Sequence, residues 1–304
     1  MLIKLNIIDG KLVESQDGPG SVSVYIAPDE AERKFLVEQF KIDEHTLNSS
    51  LDPDEVSRLE FEPEHIAMIF KRPKHYIARD NFLFKVLSTG VFMFKDRLVI
   101  VVSEDPLLFE GRPFTRIQSI QDVFLRLIYR AIAHFVEHLR GINQISNELE
   151  QQINLATENR YLLNLFTLEK SLVYYLDAIH SNNAVIEKLK NNAAKIGLSQ
   201  ENVEFLDDIQ IENNQCLRQT EIYSQVLASL MDARASIISN NLNIRIKALT
   251  LITIGIMLPT LVVSVFSMNV VIPIAWYKHA FWIITGLAVA SSALVGFLWW
   301  KRKW

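Results

Sequence analysis

Residues 248–277 read ALTLITIGIMLPTLVVSVFSMNVVIPIAWY, without a Lys, Arg, Asp or Glu, and residues 280–300 read AFWIITGLAVASSALVGFLWW, again without one. Only Lys278 and His279 separate the two runs, and Lys301-Arg302-Lys303-Trp304 follows the second. A helix rising about 1.5 Å per residue crosses about 30 Å of hydrocarbon with either run. Two such runs joined by one short loop predict a membrane hairpin. Arg245 and Lys247 before the first run and the basic tail after the second outweigh Lys278 in the loop, which predicts both termini on the cytoplasmic side. Trp276, Tyr277 and Trp282 near the loop, and Trp299, Trp300 and Trp304 at the far end, stand where interfacial aromatic belts form. The opening Met1-Leu2-Ile3-Lys4-Leu5-Asn6 has neither the basic region nor the long apolar core of a secretory signal.

Upstream of about Asn241 the sequence is charge-rich and mildly acidic, and the whole chain of 304 residues carries a net charge of −4. That composition predicts a large soluble domain joined to a small membrane part. No basic stripe is present, so nucleic acid is not an expected partner. The glycines are few and scattered, with no Walker or dinucleotide loop, so no nucleotide is expected either. Cys216 is the only cysteine, which excludes an intrachain disulfide or a cysteine zinc cluster and suits a reducing cytosol.

Residues 1–116 hold short β-rich apolar runs at 22–26, 65–70, 82–87, 91–94 and 98–102, broken by turn signals such as Asp17-Gly18-Pro19-Gly20. A helix opens at Asp29 between the first two runs, so this part is expected to be an α/β cytoplasmic domain. In residues 117–198 the period becomes helical, with Phe124, Leu127, Ile128, Ala131, Phe135 and Leu139 at steps of three and four. Apolar runs at 161–163 and 172–176 predict a second long helix returning antiparallel to the first, closed by Gly197-Leu198-Ser199. Ser199, Glu201 and Glu204 then begin a stalk helix over 199–247 with no stop before the membrane. The first span is expected at 248–269, an outer loop at 270–279, the second span at 280–300 and a basic cytoplasmic tail at 301–304.

Steps of three and four residues along the stalk and first span trace a single stripe. From Asn243 it runs through Ile246, Thr250, Thr253, Met257, Thr260, Ser264 and Ser267, and in the other direction through Ser239, Ser236, Asp232, Ser229 and Gln225. Leu249, Ile252, Ile256, Val263 and Val270 form an apolar face suited to lipid or helix contact, expected opposite the stripe. Small hydroxyl residues also cement membrane helices by close packing. A packed coiled coil, however, wants Leu and Ile along its seam. Eleven of these thirteen stripe positions are small or polar, with Ile246 the one branched aliphatic, which instead suggests a water-filled axis shared by several copies of one helix and requires a homo-oligomeric ring.

Two C-terminal spans, a stalk helix entering the first, an α/β cytoplasmic domain, a basic tail and Phe266-Ser267-Met268-Asn269 at the outer end of the first span together resemble the CorA family of magnesium channels. The family signature there is an aromatic residue followed by Gly-Met-Asn. The resemblance implies a funnel-shaped homopentamer in the inner membrane, surrounded by lipid, with the first span lining the pore. It makes Ser267, Met268 and Asn269 the selectivity filter, with Asn269 holding a hydrated cation through its amide oxygen. Asn243, Ile246, Thr250, Thr253, Met257, Thr260 and Ser264 become pore-lining, and Met257 a hydrophobic constriction. Asp232 matches an acid at the cytoplasmic mouth, and Asp208 an acid of a regulatory metal site between subunits. The implied cargo is Mg²⁺, which surrenders its waters reluctantly, and no prosthetic group is implied.

Three positions depart from the family pattern. Asn48-Ser49 stands where Mg²⁺-gated members carry adjacent acids, leaving Asp52, Asp54 or Glu55 to substitute. The outer loop lacks an acid and bears Lys278, so its attraction for cations is weak. Ser267 replaces glycine and adds a side chain at a tight turn. Alternative functions are therefore transport of Zn²⁺, Co²⁺ or Ni²⁺, with or without proton coupling, as in the related ZntB zinc transporters, and a non-conducting scaffold on the same fold. His134-Phe135-Val136-Glu137-His138 matches an inverted zinc-peptidase spacing. It has no evident third ligand and no second motif, so the chain is not expected to be an enzyme.

Overall fold

Val22, Val24 and Ile26 alternate with Tyr25, and Leu98, Ile100 and Val102 with Val99 and Val101, all of them buried. Strands buried on both faces belong at the middle of a sheet covered on both sides. In the computed structural model β3 (Val22–Ile26) and β7 (Leu98–Val102) sit there, paired in parallel with Val24 opposite Ile100. Around them lie β1 (Leu2–Ile8), β2 (Lys11–Glu14), β4 (Arg58–Phe61), β5 (Ile66–Pro73) and β6 (Val86–Met93), in the order β2-β1-β3-β7-β6-β5-β4. Every neighbouring pair other than β3 with β7 is antiparallel.

The structure describes residues 1–15, 20–104, 109, 114, 116–155, 159–270, 272, 274 and 276–302. The turn expected at Asp17-Gly18-Pro19, part of the outer loop, and Lys303 with Trp304 lie outside the described residues. The chain divides into two compact units, Met1–Met231 and Asp232–Trp304.

Within the first unit, α1 (Glu30–Phe40) and α2 (Glu44–Ser49) cover one face of the sheet. Leu36, Ile42 and Leu47 pack there on Tyr25, Phe92, Val99 and Val101. Asp29 starts α1 by a capping box: its carboxylate accepts from the Glu32 amide at 2.8 Å, and Glu32 accepts from the Asp29 amide at 3.1 Å. Helices α3 (Ile120–Leu155) and α4 (Asn159–Asn191) cover the other face, where Phe124, Ile128, Phe135 and Tyr175 are fully buried with Leu206 and Cys216 of α6 (Gln200–Phe266). Between α4 and α6 come α5 (Ala193–Ile196) and Gly197, whose φ of +77° is the left-handed conformation that suits glycine at a helix end.

Side chains of α4 bond to the sheet: Lys188 Nζ donates to the Leu59 carbonyl of β4 at 2.6 Å, and Asn182 reaches β5. Strand β4 ends with Arg58 opposite Ile69, so the backbone of β5 at Lys71 has no strand on that side. Asn182 of α4 takes the place of one. Its amide oxygen accepts from the Lys71 N–H at 2.9 Å and from Ser57 Oγ at 2.8 Å, and its Nδ2 donates to the Lys71 carbonyl at 2.9 Å.

In place of the strands expected at 82–87 and 91–94 there is one strand, β6, over Val86–Met93 through Ser88-Thr89-Gly90, and residues 82–85 lie outside it. Gly90 is a packing residue rather than a turn: a Cβ there would lie 2.3 Å from Ser50 Cβ, so only glycine lets the end of α2 approach the sheet.

In the second unit α6 continues to Phe266 and α7 (Ala280–Arg302) follows it. Both helices are long and apolar enough to cross a membrane, with mean hydropathy of 2.3 and 2.0 in their most apolar stretches.

Candidate functional site

Pro259 lies inside α6 and has no N–H, so the Gly255 carbonyl one turn earlier loses its helical donor. In hydrocarbon such a carbonyl must find another partner. Ser292 of α7 supplies it, its hydroxyl lying 3.4 Å from the Gly255 oxygen. Half-buried positions recur around this contact at 251, 255, 258, 259, 262 and 266 on α6, and at 284, 285, 288, 291, 292 and 295 on α7. Their spacing of three and four marks the seam between the spans. The triad of Gly255, Pro259 and Ser292 was not anticipated from the sequence. A proline in an apolar helix, with a serine near mid-length of the next, is the signal that pointed to it.

This seam, centred on Leu251, Gly255, Leu258 and Val262, lies opposite the polar stripe. The face expected opposite, formed by Leu249, Ile252, Ile256 and Val263, lies instead about a third of a turn away. The reason is that 100° per residue brings 251, 255, 258 and 262 round to the back of the stripe. Both the stripe and that apolar face are exposed in the single chain: Met257 is 63 % exposed and Ile256 65 %. One chain therefore satisfies one face of its first span and leaves two open.

Along the open stripe the threonines are held in one way. Thr250 Oγ1 donates to the Ile246 carbonyl at 2.8 Å, Thr253 to Leu249 at 2.9 Å and Thr260 to Ile256 at 2.7 Å. Each proton is used within the helix. The remaining lone pairs face outward, so the stripe offers hydrogen-bond acceptors. Asn243, Ile246, Met257 and Ser264 share the exposed face.

Helix α6 ends at Phe266, and Ser267, Met268 and Asn269 form the turn beyond it, all exposed. The serine fits this turn without strain. Ser267 is absent from the described residues with left-handed backbone, and its hydroxyl folds back to donate to the Ser264 carbonyl at 2.9 Å. The side chain that replaces glycine therefore lies against its own helix end.

Asp232 and Asp208 are both exposed on α6, twenty-four positions apart in sequence. Beside Asp208, Asp207 is engaged by Lys190 at 2.7 Å. Of the three acids that might stand in near Asn48-Ser49, Glu55 is committed. It accepts from Ser49 Oγ at 2.9 Å and pairs with Arg58 at 2.6 Å, and the Ser49 bond first, then the Arg58 charge, hold its carboxyl below the usual range. Asp52 and Asp54 are exposed. Among the described residues no group of three His, Cys, Asp or Glu side chains is arranged to hold a metal, the 134–138 pair included.

Comparison with known proteins places this arrangement. The cobalt/magnesium transport protein CorA of Methanocaldococcus jannaschii is 23 % identical over 288 residues, 91 % of this chain and 89 % of that protein. The complete structure of the M. jannaschii CorA magnesium transporter superposes with a TM-score of 0.79 at 18 % identity, covering 98 % of this chain and 96 % of that one. The full-length CmaX protein superposes at 0.73 and 16 % identity, covering 100 % and 97 %. At these identities the superpositions establish the fold: an α/β soluble domain, a long helix and two apolar C-terminal helices. The family model for CorA-like Mg²⁺ transporter proteins matches residues 24–302, which takes in the central strands, the stripe, the Ser267 turn and both apolar helices, and the chain belongs to that family.

Proposed function

We propose that this chain is the subunit of a homo-oligomeric, pentameric channel that passes divalent cations, Mg²⁺ foremost, into the cytoplasm through the inner membrane, with both termini cytoplasmic. The observation that carries this reading is the stripe of α6, exposed in the single chain and lined by threonine oxygens whose protons are already used. A hydrated dication presents only water protons to its surroundings. A wall of acceptors binds that shell without removing it, which suits an ion that dehydrates reluctantly. In this reading copies of the stripe, from Asn243 to Ser264, surround the axis, and Met257 forms its apolar constriction. Ser267, Met268 and Asn269 make the outer filter, where the Asn269 amide oxygen adds a further acceptor. Asp232 draws cations at the inner mouth, and Asp208 contributes to a regulatory site between subunits.

The membrane potential supplies the drive. A double charge entering a negative interior gains about 4.6 kcal/mol per 100 mV, so no nucleotide or prosthetic group is required. The family is one of transporters rather than enzymes.

Uptake of Mg²⁺ into dye-loaded proteoliposomes under an imposed negative-inside potential tests the proposal. Wild type is expected to conduct and Asn269→Ala to lose most of that flux. Flux of Zn²⁺ or Co²⁺ but not Mg²⁺ would reassign the cargo, and no flux of any of the three would leave the fold as a scaffold.

A further inference from the structure

Between the sheet and α3 the first unit holds a cavity of about 340 Å³ that ion conduction does not use. One side is apolar, formed by Met68, Phe70 and Val91 from the sheet and Leu127, Ile128 and Ala131 from the helix. The other side carries Arg72, His75, Arg130, His134, Glu137 and His138. The fixed charges there are already matched within the protein. Arg130 pairs with Glu137 at 3.2 Å. The Arg72 guanidinium donates to Thr89 Oγ1 at 3.1 Å and to the carbonyls of Pro73 and Glu104, each at 3.4 Å.

Two imidazoles remain open. Tyr175 is fully buried, and among the described residues its hydroxyl has one partner, His138 Nδ1 at 2.6 Å. The phenol proton therefore goes to Nδ1, and the His138 ring carries its own proton on Nε2. His134 makes no hydrogen bond among the described residues. Its ring neighbours are His138, with centroids 4.3 Å apart, and His75, with centroids 6.4 Å apart. The unpartnered nitrogens of His134 and His138 are not sealed away from a water-sized molecule. Burial first, and then the charges around them, push His134 down to about 3 and His138 down to about 4, so both rings are neutral at physiological pH. A neutral imidazole offers one donor and one acceptor. The cavity thus presents an N–H from His138 and a donor and an acceptor from His134, on rings close enough for one hydroxyl to reach both.

Four occupants can be weighed against that lining. A dication would meet two guanidinium groups, and the described residues offer no triad of metal ligands. An anion would find each arginine already engaged and no charged imidazole. A hydrocarbon would fill the apolar side but leave the imidazole nitrogens without partners. Water would serve the imidazoles and leave six apolar side chains wet. A neutral molecule with an apolar body and one hydroxyl satisfies both sides, and the volume falls at the small end of ordinary ligand sites.

We propose that this cavity binds a small neutral hydroxylated molecule, its apolar body against Phe70, Val91 and Leu127 and its hydroxyl between His134 and His138. In that pose the hydroxyl oxygen accepts from His138 Nε2–H and its proton goes to the bare nitrogen of His134. The site lies in the soluble unit and is independent of the conduction reading.

Equilibrium dialysis of radiolabelled 2-naphthol against the full-length protein in detergent, near neutral pH, tests it. The competitors are 2-methylnaphthalene, which keeps the shape without the hydroxyl, and 2-naphthoate, which adds a charge. Saturable binding of one 2-naphthol per chain is expected, with both competitors at least tenfold weaker. His134→Leu should weaken 2-naphthol at least tenfold and leave 2-methylnaphthalene unchanged, whereas His134→Gln, which keeps a donor and an acceptor, should retain most of the affinity. Equal competition by 2-methylnaphthalene would overturn the proposal in favour of a merely apolar pocket, and stronger competition by 2-naphthoate would overturn it in favour of an anion site. Unchanged affinity in His134→Leu would overturn the placement of the hydroxyl, and the absence of saturable binding would overturn the proposal outright. Should His134→Leu fail to fold, the three-way competition in wild type decides the matter alone.

Discussion

Single residues in the soluble unit carry interactions that can be weighed one at a time. Asn182 satisfies both backbone groups of Lys71, so Asn182→Ala leaves a buried N–H and a buried carbonyl unpaired, each costing about 1–3 kcal/mol. Denaturant unfolding of the purified protein should show a loss of about 3 kcal/mol, with Asn182→Asp recovering little because a carboxylate cannot donate to the carbonyl. His134 acts through pH. Its folded value is depressed to about 3 from 6.5, so below about pH 6.5 the unfolded chain takes up a proton that the folded chain refuses. The stability it contributes is complete above that point and is lost as pH falls toward 3. His138, pushed down to about 4 chiefly by burial, acts in the same direction. The melting temperature should fall between about pH 6.5 and about 4.5, a window above most carboxylate titration, and His134→Gln should flatten that fall. An unchanged slope in the variant would show that the ring is not held as described.

Elements show what was legible before the fold was known. The two central strands were legible as continuous apolar runs, which burial on both faces leaves, whereas their parallel pairing was not, and the start of α1 was legible at Asp29. Strands β1, β2 and β4 were not, since each has a solvent-facing side or lies at an edge, and polar residues there break the pattern. The break expected between 87 and 91 falls inside β6, because a sequence cannot show that Gly90 is there to admit Ser50 from another element. Gly90→Ala should destabilise by about 1–3 kcal/mol through overpacking, and Ser50→Gly in the same chain should recover part of it. The stripe was legible at heptad spacing, whereas the seam was not, because it depends on where the second span sits. Ser292→Ala should weaken the pairing of the two spans by about 0.6–1.7 kcal/mol. Adding Pro259→Ala should erase that effect, because an alanine N–H restores the helical partner of the Gly255 carbonyl. A double-mutant cycle in mild detergent reads both, and additive losses would break the assignment of Ser292 to that carbonyl.

At the scale of the molecule, two faces of the first span remain open in one chain, and the proposed ring closes them. Cys216 provides a clean background for testing this, because it is fully buried and burial pushes its thiol up to about 12. Wild type should therefore resist maleimide and oxidative crosslinking in native membranes. Met257→Cys, on the stripe near the middle of the span, should form disulfide-linked dimers on oxidation, whereas Leu258→Cys, half-buried in the seam, should not. Crosslinking of the seam position alone would reverse the orientation of α6. Because each chain contributes only one copy of the stripe, the proposed ring also pools function among chains in a way that inheritance can read. A cell making wild type and Asn269→Ala in equal amounts assembles wholly wild-type rings in a fraction of one-half raised to the number of subunits, about one in thirty-two for five. A single defective allele would then act as a dominant one, and the steepness of that dominance counts the subunits.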